Sequence, residues 1–254
     1  MGENSSGSFL RRVEMRVKAV ISYNGNLFYG FQKQKETNQT VTNRVEDALK
    51  KININSDIIG SGRTDRGVHA TGQVIDFEVP KYWGDLKKLK TSLNRILDGI
   101  EIKHIIKVDD KFHSRFSAKK RVYRYVLKTT KPSLFEEDFI SYYNSFDMDK
   151  LQDGLDILIG THDFGFLIKQ GSYTHTNIRS IYQAFYKQRK NYHFIYFTAN
   201  GFLRAQVRMM INLVMLYAQG KISRDDIVSQ LNLKHRITTK LAPPQGLYLA
   251  RVLY

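Results

Sequence analysis

The chain has 254 residues, enough for one large domain or two small ones, and 42% of them are hydrophobic, enough for a real core. Its formal net charge of +16 predicts that a polyanion such as nucleic acid is the partner. The absence of cysteine excludes disulfides, thiol nucleophiles and cysteine zinc sites, and it agrees with a cytoplasmic location. No apolar stretch approaches the roughly 20 residues of a membrane-spanning helix, so no membrane partner is expected.

The first half of the chain begins with a polar segment and continues with a series of predicted strands and helices. Residues 1–14 are rich in Gly and Ser, which predicts a disordered extension or a cloning remnant. Residues 15–110 then read as β-α-β-β-α-β by apolar periodicity. The predicted elements are a strand at Val17–Ile21, a helix at Val41–Ile52, short strands at Ile58–Ile59 and Gln73–Val79, a helix at Leu86–Leu97 and a strand at Ile100–Val108.

The second half, residues 111–254, repeats that order. It predicts a strand at Arg121–Leu127, a helix capped by Asp147, a hairpin of Arg179–Tyr186 with Tyr192–Thr198, a long apolar helix at Leu203–Ala218 ending at Gly220, a short helix after Ser223 and a strand at Gly246–Val252. Two such units predict an α+β fold of two ferredoxin-like halves, with an extended, mainly antiparallel sheet and helices on one face.

The most informative segment is Ile59–Val79, IGSGRTDRGVHATGQVIDFEV. It places Asp65 between Arg63 and Arg66 in a loop punctuated by glycine. Nearby positive charge favours an ionised carboxylate, and arginines are natural phosphate ligands. The pattern indicates a nucleophilic acid acting on a nucleotide sugar or base, although Thr-Asp-Arg-Gly is also ordinary turn chemistry.

Two further segments carry candidate site residues. In Arg121-Val-Tyr-Arg-Tyr125, strand alternation puts Tyr123 on one face, where it can stack on a base, transfer a proton or simply pack. Upstream, Arg115 is either a phosphate contact or part of a surface ion pair. In the predicted long helix, Arg204 and Arg208 lie four residues apart among apolar residues. An arginine there must reach water or find a carboxylate, since a lone buried charge costs several kcal/mol.

The loop sequence GRTDRGVHATGQV resembles the signature of the tRNA pseudouridine synthase A family. Four other segments are similar to family motifs in matching order: Tyr23–Gln32, Phe112–Tyr125, Asn200–Arg208 and Gly246–Leu249. The chain departs from the family at Asn24 (usually an acid), Phe31 (tryptophan), Thr42 (glutamine), Arg66 (a small residue) and Leu97-Asp98 (Leu-Pro). The resemblance covers about Val17 to Tyr254.

The resemblance implies roles for matching residues and a pseudouridine synthase fold. Asp65 is the expected catalytic carboxylate, Tyr123 the active-site tyrosine, Arg208 the ion-pair partner of Asp65, and Leu247 a residue that packs under the base pocket. We expect Arg63 to hold a flipped nucleotide, through its phosphate or by filling the vacated space. Three more arginines are expected RNA contacts: Arg66, Arg115 and Arg204. For Arg204, exposure to solvent is the alternative.

The resemblance also implies an activity. The family isomerises uridine at positions 38–40 in the anticodon arm of tRNA and acts as a homodimer. The reaction has no redox step, so we expect no cofactor, and the seven histidines form no close metal pair, so we expect no metal. The sequence does not choose whether Asp65 attacks the sugar, adds to the base or supports elimination. Two alternatives are a non-catalytic RNA-binding or chaperone protein on the same scaffold and another nucleoside-processing enzyme, such as a glycosylase or nuclease.

Overall fold

The structure is a computed structural model that describes residues 14–172 and 174–254. Of the predicted N-terminal extension, residues 1–13 lie outside the described residues, and Glu14 already belongs to the first strand. The elements of the first half are β1 (Glu14–Tyr23), α1 (Val41–Lys51), β2 (Ile59–Gly60), β3 (His69–Pro80), α2 (Leu86–Ile96) and β4 (Ile100–Lys107). Those of the second are β5 (Lys120–Lys128), β6 (Ser141–Tyr142), α3 (Met148–Ile157), β7 (Gly160–Asp163), β8 (Ile178–Arg189), β9 (Tyr192–Ala199), α4 (Gln206–Ala218), α5 (Arg224–Leu231) and β10 (Leu247–Leu253).

All these strands form one sheet, in the order β4-β1-β3-β10-β5-β9-β8-β7, with β2 beside β3 and β6 beside β5. Pairing is antiparallel except between β3 and β10 and between β5 and β6. Each half has the ferredoxin-like arrangement. When the four main strands of a half are counted along the chain, they lie in the sheet in the order fourth, first, third, second. The order is β4-β1-β3-β2 in the first half and β10-β5-β9-β8 in the second. The predicted fold class is confirmed.

The two halves meet along one edge of β3. Its first residues pair with β10, Tyr248 opposite His69, whereas β2 pairs further along the same edge, Ile59 opposite Asp76. A Cβ at Gly72 would overlap the carbonyl of Ala250, so the seam requires a glycine there. The loop from β2 to β3 therefore leaves the sheet where the second half joins it.

One face of the sheet packs against the helices and forms the core. Alternate strand residues on this face are buried, among them Val17, Ala19, Ile21, Ile75, Phe77, Tyr125, Leu127, Ile195 and Phe197. The helices cover them with their apolar stripes, which include Val45, Leu49, Leu89, Leu93, Leu151, Leu155, Met210 and Val214. Each such large side chain contributes about 1.5–3 kcal/mol through burial. The face is apolar because alternate residues of each strand are hydrophobic on the inner side. The hydrophobic residues of each helix, three or four apart, lie on the side that meets them.

Most predicted helix boundaries are confirmed by their caps. Asp147 accepts a hydrogen bond from Lys150 N at the start of α3, and Ser223 with Asp226 forms a capping box before α5. Gly220 follows α4 with φ +70°. The strands β6 and β7 were not predicted, because they are short and β7 (Gly-Thr-His-Asp) has no apolar alternation.

The start of the long helix was predicted too early. α4 begins at Gln206 rather than Leu203, because Ala205 adopts a left-handed conformation (φ 62°) and the Gln206 side chain accepts a hydrogen bond from Leu203 N. Arg204 therefore lies in the preceding turn and does not share a helical stripe with Arg208. None of the helices within the described ranges is long and apolar enough to cross a membrane.

Candidate active site

The loop carrying Asp65 is held by the segment that follows β1. Phe31 N donates to the carbonyl of Thr64 (3.1 Å), and the hydroxyls of Thr64 and Tyr23 are 2.8 Å apart. Within the loop, Val68 N donates to the carbonyl of Asp65 (3.1 Å). Tyr23, Phe31 and Thr64 are all buried. The Tyr23–Gln32 motif thus supports the loop at Thr64, directly before Asp65.

Gly30 brings this support into direct contact with the loop. Its φ is +104°, and a Cβ there would lie 2.9 Å from the carbonyl oxygen of Thr64. Only glycine adopts such a conformation without strain, and only glycine leaves room for the loop backbone. The glycine in this motif is therefore explained by packing against the loop.

Arg208 forms an ion pair with Asp65. Its Nη1 lies 3.7 Å from Asp65 Oδ2, and the two side chains are 13% and 32% exposed. The Nε of Arg208 donates to the carbonyl of Ala242 (2.7 Å), and Ala242 N donates to the carbonyl of Arg208 (3.0 Å). Burial lowers the pKa of Arg208, and the charge of Asp65 opposes that shift. The guanidinium is held by the chain before β10 and lies next to the Asp65 carboxylate.

Tyr123 lies on the floor of the site, on the helix-covered face of β5. Its ring packs edge-on against Phe202 (centroids 5.1 Å apart, 87° between planes). Burial raises the pKa of Tyr123, and the negative charge of Asp65 raises it further, so the hydroxyl stays protonated at neutral pH. Leu247, the first residue of β10, is buried opposite Tyr125. Strand alternation therefore puts it on the same face as Tyr123.

Arg63, predicted to hold the flipped nucleotide, forms one positive cluster with two of the predicted RNA contacts, Arg115 and Arg204. Partial burial lowers the pKa of Arg63, and the positive charges of Arg115 and Arg204 lower it further. In the described part of the chain, no carboxylate forms an ion pair with any of the three. Like charges that lack acidic partners are suited to phosphate. The guanidinium of the fourth predicted arginine, Arg66, lies 4.2 Å from the centre of the Tyr29 ring.

Residues that the sequence patterns did not single out complete the support. Gln73 accepts from the Ser61 hydroxyl (2.6 Å) and donates to the carbonyl of Gly62 (2.7 Å). Arg121 donates to the carbonyl of Ser61 from the other half (2.9 and 3.1 Å). The signal for Arg121 was available, because strand alternation puts this charged residue on the buried face with Tyr123 and Tyr125.

His69, directly after the loop, is a further residue that the patterns did not assign. Its Nδ1 accepts from Gly25 N, and its Nε2 faces the carbonyl of Asp138, both at 3.0 Å. Burial lowers the pKa of His69. A neutral ring with the proton on Nε2 satisfies both contacts. The ring also stacks on Tyr248 (centroids 4.7 Å apart), across the seam of the two halves.

The site thus combines an acid paired with a partly buried arginine, a protonated tyrosine and a rim of arginines without ion pairs, which suits chemistry on a bound polyanion. A sequence model of the tRNA pseudouridine synthase family matches residues 19–117 and 155–254. The chain is 38% identical over 243 residues to tRNA pseudouridine synthase A of Helicobacter hepaticus, covering 93% of this chain and 98% of the relative. It is 35% identical over 237 residues to the enzyme of that name from Wolinella succinogenes, covering 93% of each chain. The chain therefore belongs to the tRNA pseudouridine synthase family.

Proposed function

We propose that the protein converts uridine to pseudouridine at positions 38–40 in the anticodon stem-loop of tRNA, with Asp65 as the catalytic carboxylate. The observation that carries this proposal is the Asp65–Arg208 ion pair at the seam of the two halves, beside Tyr123 and the arginine cluster. Family membership supports tRNA as the substrate. The positions follow from the sequence resemblance.

The isomerisation makes modest demands on the protein. The bond between ribose C1′ and uracil N1 breaks, the base turns, and C1′ bonds to C5, while C5 loses a proton and N1 gains one. Substrate and product have the same atoms, so the reaction consumes no oxidant, reductant or group donor, and a carboxylate can serve as its nucleophile. Asp65 attacks the sugar, adds to the base or stabilises an elimination intermediate. Each route needs the carboxylate fixed beside the nucleotide, which is what Arg208 provides.

The surrounding residues act on the nucleotide. The target base must leave its stack to reach Asp65, at a cost of a few kcal/mol. Arg63 holds the flipped nucleotide by its phosphate or fills the vacated space, and Tyr123 and Leu247 pack against the base. Arg66, Arg115 and Arg204 contact the RNA backbone, which makes binding strongly salt-dependent.

The organisation of the chain and its assembly belong to the same proposal. Residues 15–110 form the half that carries the acid, and residues 111–254 form the half that completes the site. The family resemblance adds a homodimer in the cytoplasm. Sedimentation of the purified protein and fractionation of cells test these two statements.

The decisive experiment maps pseudouridine in unmodified tRNA by carbodiimide-induced stops of reverse transcription. Wild-type protein is expected to produce stops at positions 38–40, and Asp65→Asn is expected to produce none, because the amide cannot act as an anion. Asp98→Asn is the matched control, since Asp98 is an exposed acid of the same half. Equal signal from Asp65→Asn and wild type would remove Asp65 from the mechanism.

The same reaction separates the alternatives. An isomerase leaves the mass of the RNA unchanged, whereas a glycosylase releases free base and a nuclease cleaves the strand. A non-catalytic RNA-binding protein binds the tRNA and leaves it unmodified. Mass spectrometry of the intact product, beside the stop assay, assigns the protein to one of these classes.

A further inference from the structure

Arg121 is the most heavily bonded arginine at the site. Its Nη2 donates to the carbonyls of Ser61 (2.9 Å) and Arg115 (2.7 Å), its Nη1 to that of Asn200 (2.8 Å), and its Nε again to that of Ser61 (3.1 Å). The guanidinium is partly buried, and burial lowers its pKa. One side chain therefore binds three backbone carbonyls in different parts of the chain.

Those three carbonyls belong to segments that frame the site. Ser61 begins the loop that carries Asp65, in the first half. Arg115 lies in the turn before β5, at the start of the second half. Asn200 follows β9 and precedes Phe202, whose ring packs against Tyr123. Arg121 itself lies on β5, two residues before Tyr123. Arg121 therefore links the loop that carries Asp65 to the part of the site formed by Tyr123 and Phe202.

The bonding pattern separates Arg121 from the neighbouring arginines. A guanidinium has five N–H donors in a fixed planar fork, and four of those of Arg121 already point at protein carbonyls. Little donor capacity is left for a phosphate. A lysine would keep the charge but would not span three acceptors in one plane.

We propose that Arg121 is a positioning residue that sets the distance between the Asp65 loop and the Tyr123–Phe202 side of the site, without itself binding RNA. The proposal rests on the proposed function for its effect on the reaction. Its effect on the protein is independent of RNA. Removing the fork frees three carbonyls and lets the two sides separate, which slows the chemical step because a displacement of about 1 Å costs on the order of 100-fold in rate.

The test compares Arg121→Gln with Arg115→Gln and Lys120→Gln, which each remove one positive charge. Lys120 is exposed beside Arg121 on the same strand and is outside the site. Arg121→Gln is expected to lower the single-turnover rate at saturating tRNA about 10-fold or more. It should leave the slope of log affinity against log salt at the wild-type value.

The other variants give the contrast. Arg115→Gln should reduce that slope by about 0.7–0.9, as loss of one phosphate contact does. Lys120→Gln should keep the wild-type rate within about twofold. Arg121→Lys should be as slow as Arg121→Gln, because charge alone does not replace the fork.

Amide hydrogen exchange of the RNA-free protein gives the second readout. Arg121→Gln should speed exchange in residues 61–66 and 199–203 and leave α4 and β8 protected. A reduced salt slope with an unchanged saturated rate would make Arg121 a phosphate ligand and overturn the proposal. Loss of the cooperative thermal transition would also overturn it, since Arg121 would then hold the whole fold. If wild-type protein modifies no tRNA, the proposed function fails, while the exchange measurement still decides the role of Arg121.

Discussion

The two halves of the molecule share one topology, and the equivalent connections within them differ in length and content. In the first half, the chain between β2 and β3 is an eight-residue loop, residues 61–68, that carries Asp65. In the second half, β8 and β9 are joined by the two-residue turn Lys190–Asn191. Function therefore resides in what is placed on the ferredoxin-like frame and not in the frame itself.

The two connections are also stabilised differently. The turn is closed by the strands that it joins, with Arg189 opposite Tyr192. The Asp65 loop depends on distant segments, since the Thr64 carbonyl is bonded by Phe31 and the Ser61 carbonyl by Arg121. Substitutions that reach the loop through these contacts should change catalysis, whereas changes in the turn should change only stability.

Replacement of Arg208 by methionine should have the largest effect. The variant keeps a long apolar stem but loses the ion pair with Asp65 and the hydrogen bond to Ala242. We expect the single-turnover rate to fall by about 100-fold. Because the buried Ala242 carbonyl loses that donor, unfolding free energy should fall by about 1–3 kcal/mol.

The control for this variant is Arg95→Met, which removes an exposed arginine from the last turn of α2. It should keep the wild-type rate within about twofold, and urea denaturation should show an unchanged midpoint. An Arg208→Met protein with the wild-type rate would mean that the loop alone orients Asp65. The proposal that the Asp65 loop depends on the second half through Arg208 would then be refuted.

The sequence was sufficient for the frame because periodicity and caps agree along most of it. Alternation at Val17–Ile21 and the capping signals at Asp147 and Ser223 each match the observed element. It was insufficient where backbone conformation depends on tertiary contacts. Nothing in the residue pattern near Leu203 reveals that Ala205 adopts a left-handed conformation and delays α4.

The candidate site was predictable in its residue types and less so in its support. The loop motif pointed to Asp65. An arginine in an apolar helix had to reach water or find a carboxylate, and the family resemblance named Asp65 as the partner of Arg208. The bonds of Arg121 and Gln73 run to backbone carbonyls. Such acceptors exist in every residue and leave no trace in side-chain patterns, so these supporting contacts required the structure.

Two glycines with positive φ differ in what surrounds them. Gly30 (φ +104°) touches the Asp65 loop, whereas Gly220 (φ +70°) ends α4, and a Cβ at Gly220 would meet no atom of the described residues within 4 Å. Gly220→Ala should cost about 1 kcal/mol from backbone strain alone and leave the rate unchanged. Gly30→Ala should cost about 1–3 kcal/mol and also displace Thr64, which lowers the rate about 10-fold or more.

Urea unfolding and single-turnover kinetics on both variants separate strain from displacement. Both variants are expected to lose stability, and only Gly30→Ala is expected to lose rate. If Gly30→Ala keeps the wild-type rate, the loop tolerates movement of its support. The contrast between a loop fixed by distant contacts and a turn fixed by its own strands would then fail for this contact.

The smallest expected effect lies in the turn and has the opposite sign. Lys190 has φ +56° at the first position of a two-residue hairpin turn, a left-handed conformation that glycine adopts without strain. Lys190→Gly should raise unfolding free energy by about 0.5–1 kcal/mol, because relief of the left-handed conformation exceeds the added flexibility of the unfolded chain. Lys190→Ala removes the same charge but keeps the strained conformation, so it should bring no gain. A rate change in Lys190→Gly that Lys190→Ala does not share would give the turn a part in catalysis, and the functional contrast between the two halves would no longer hold.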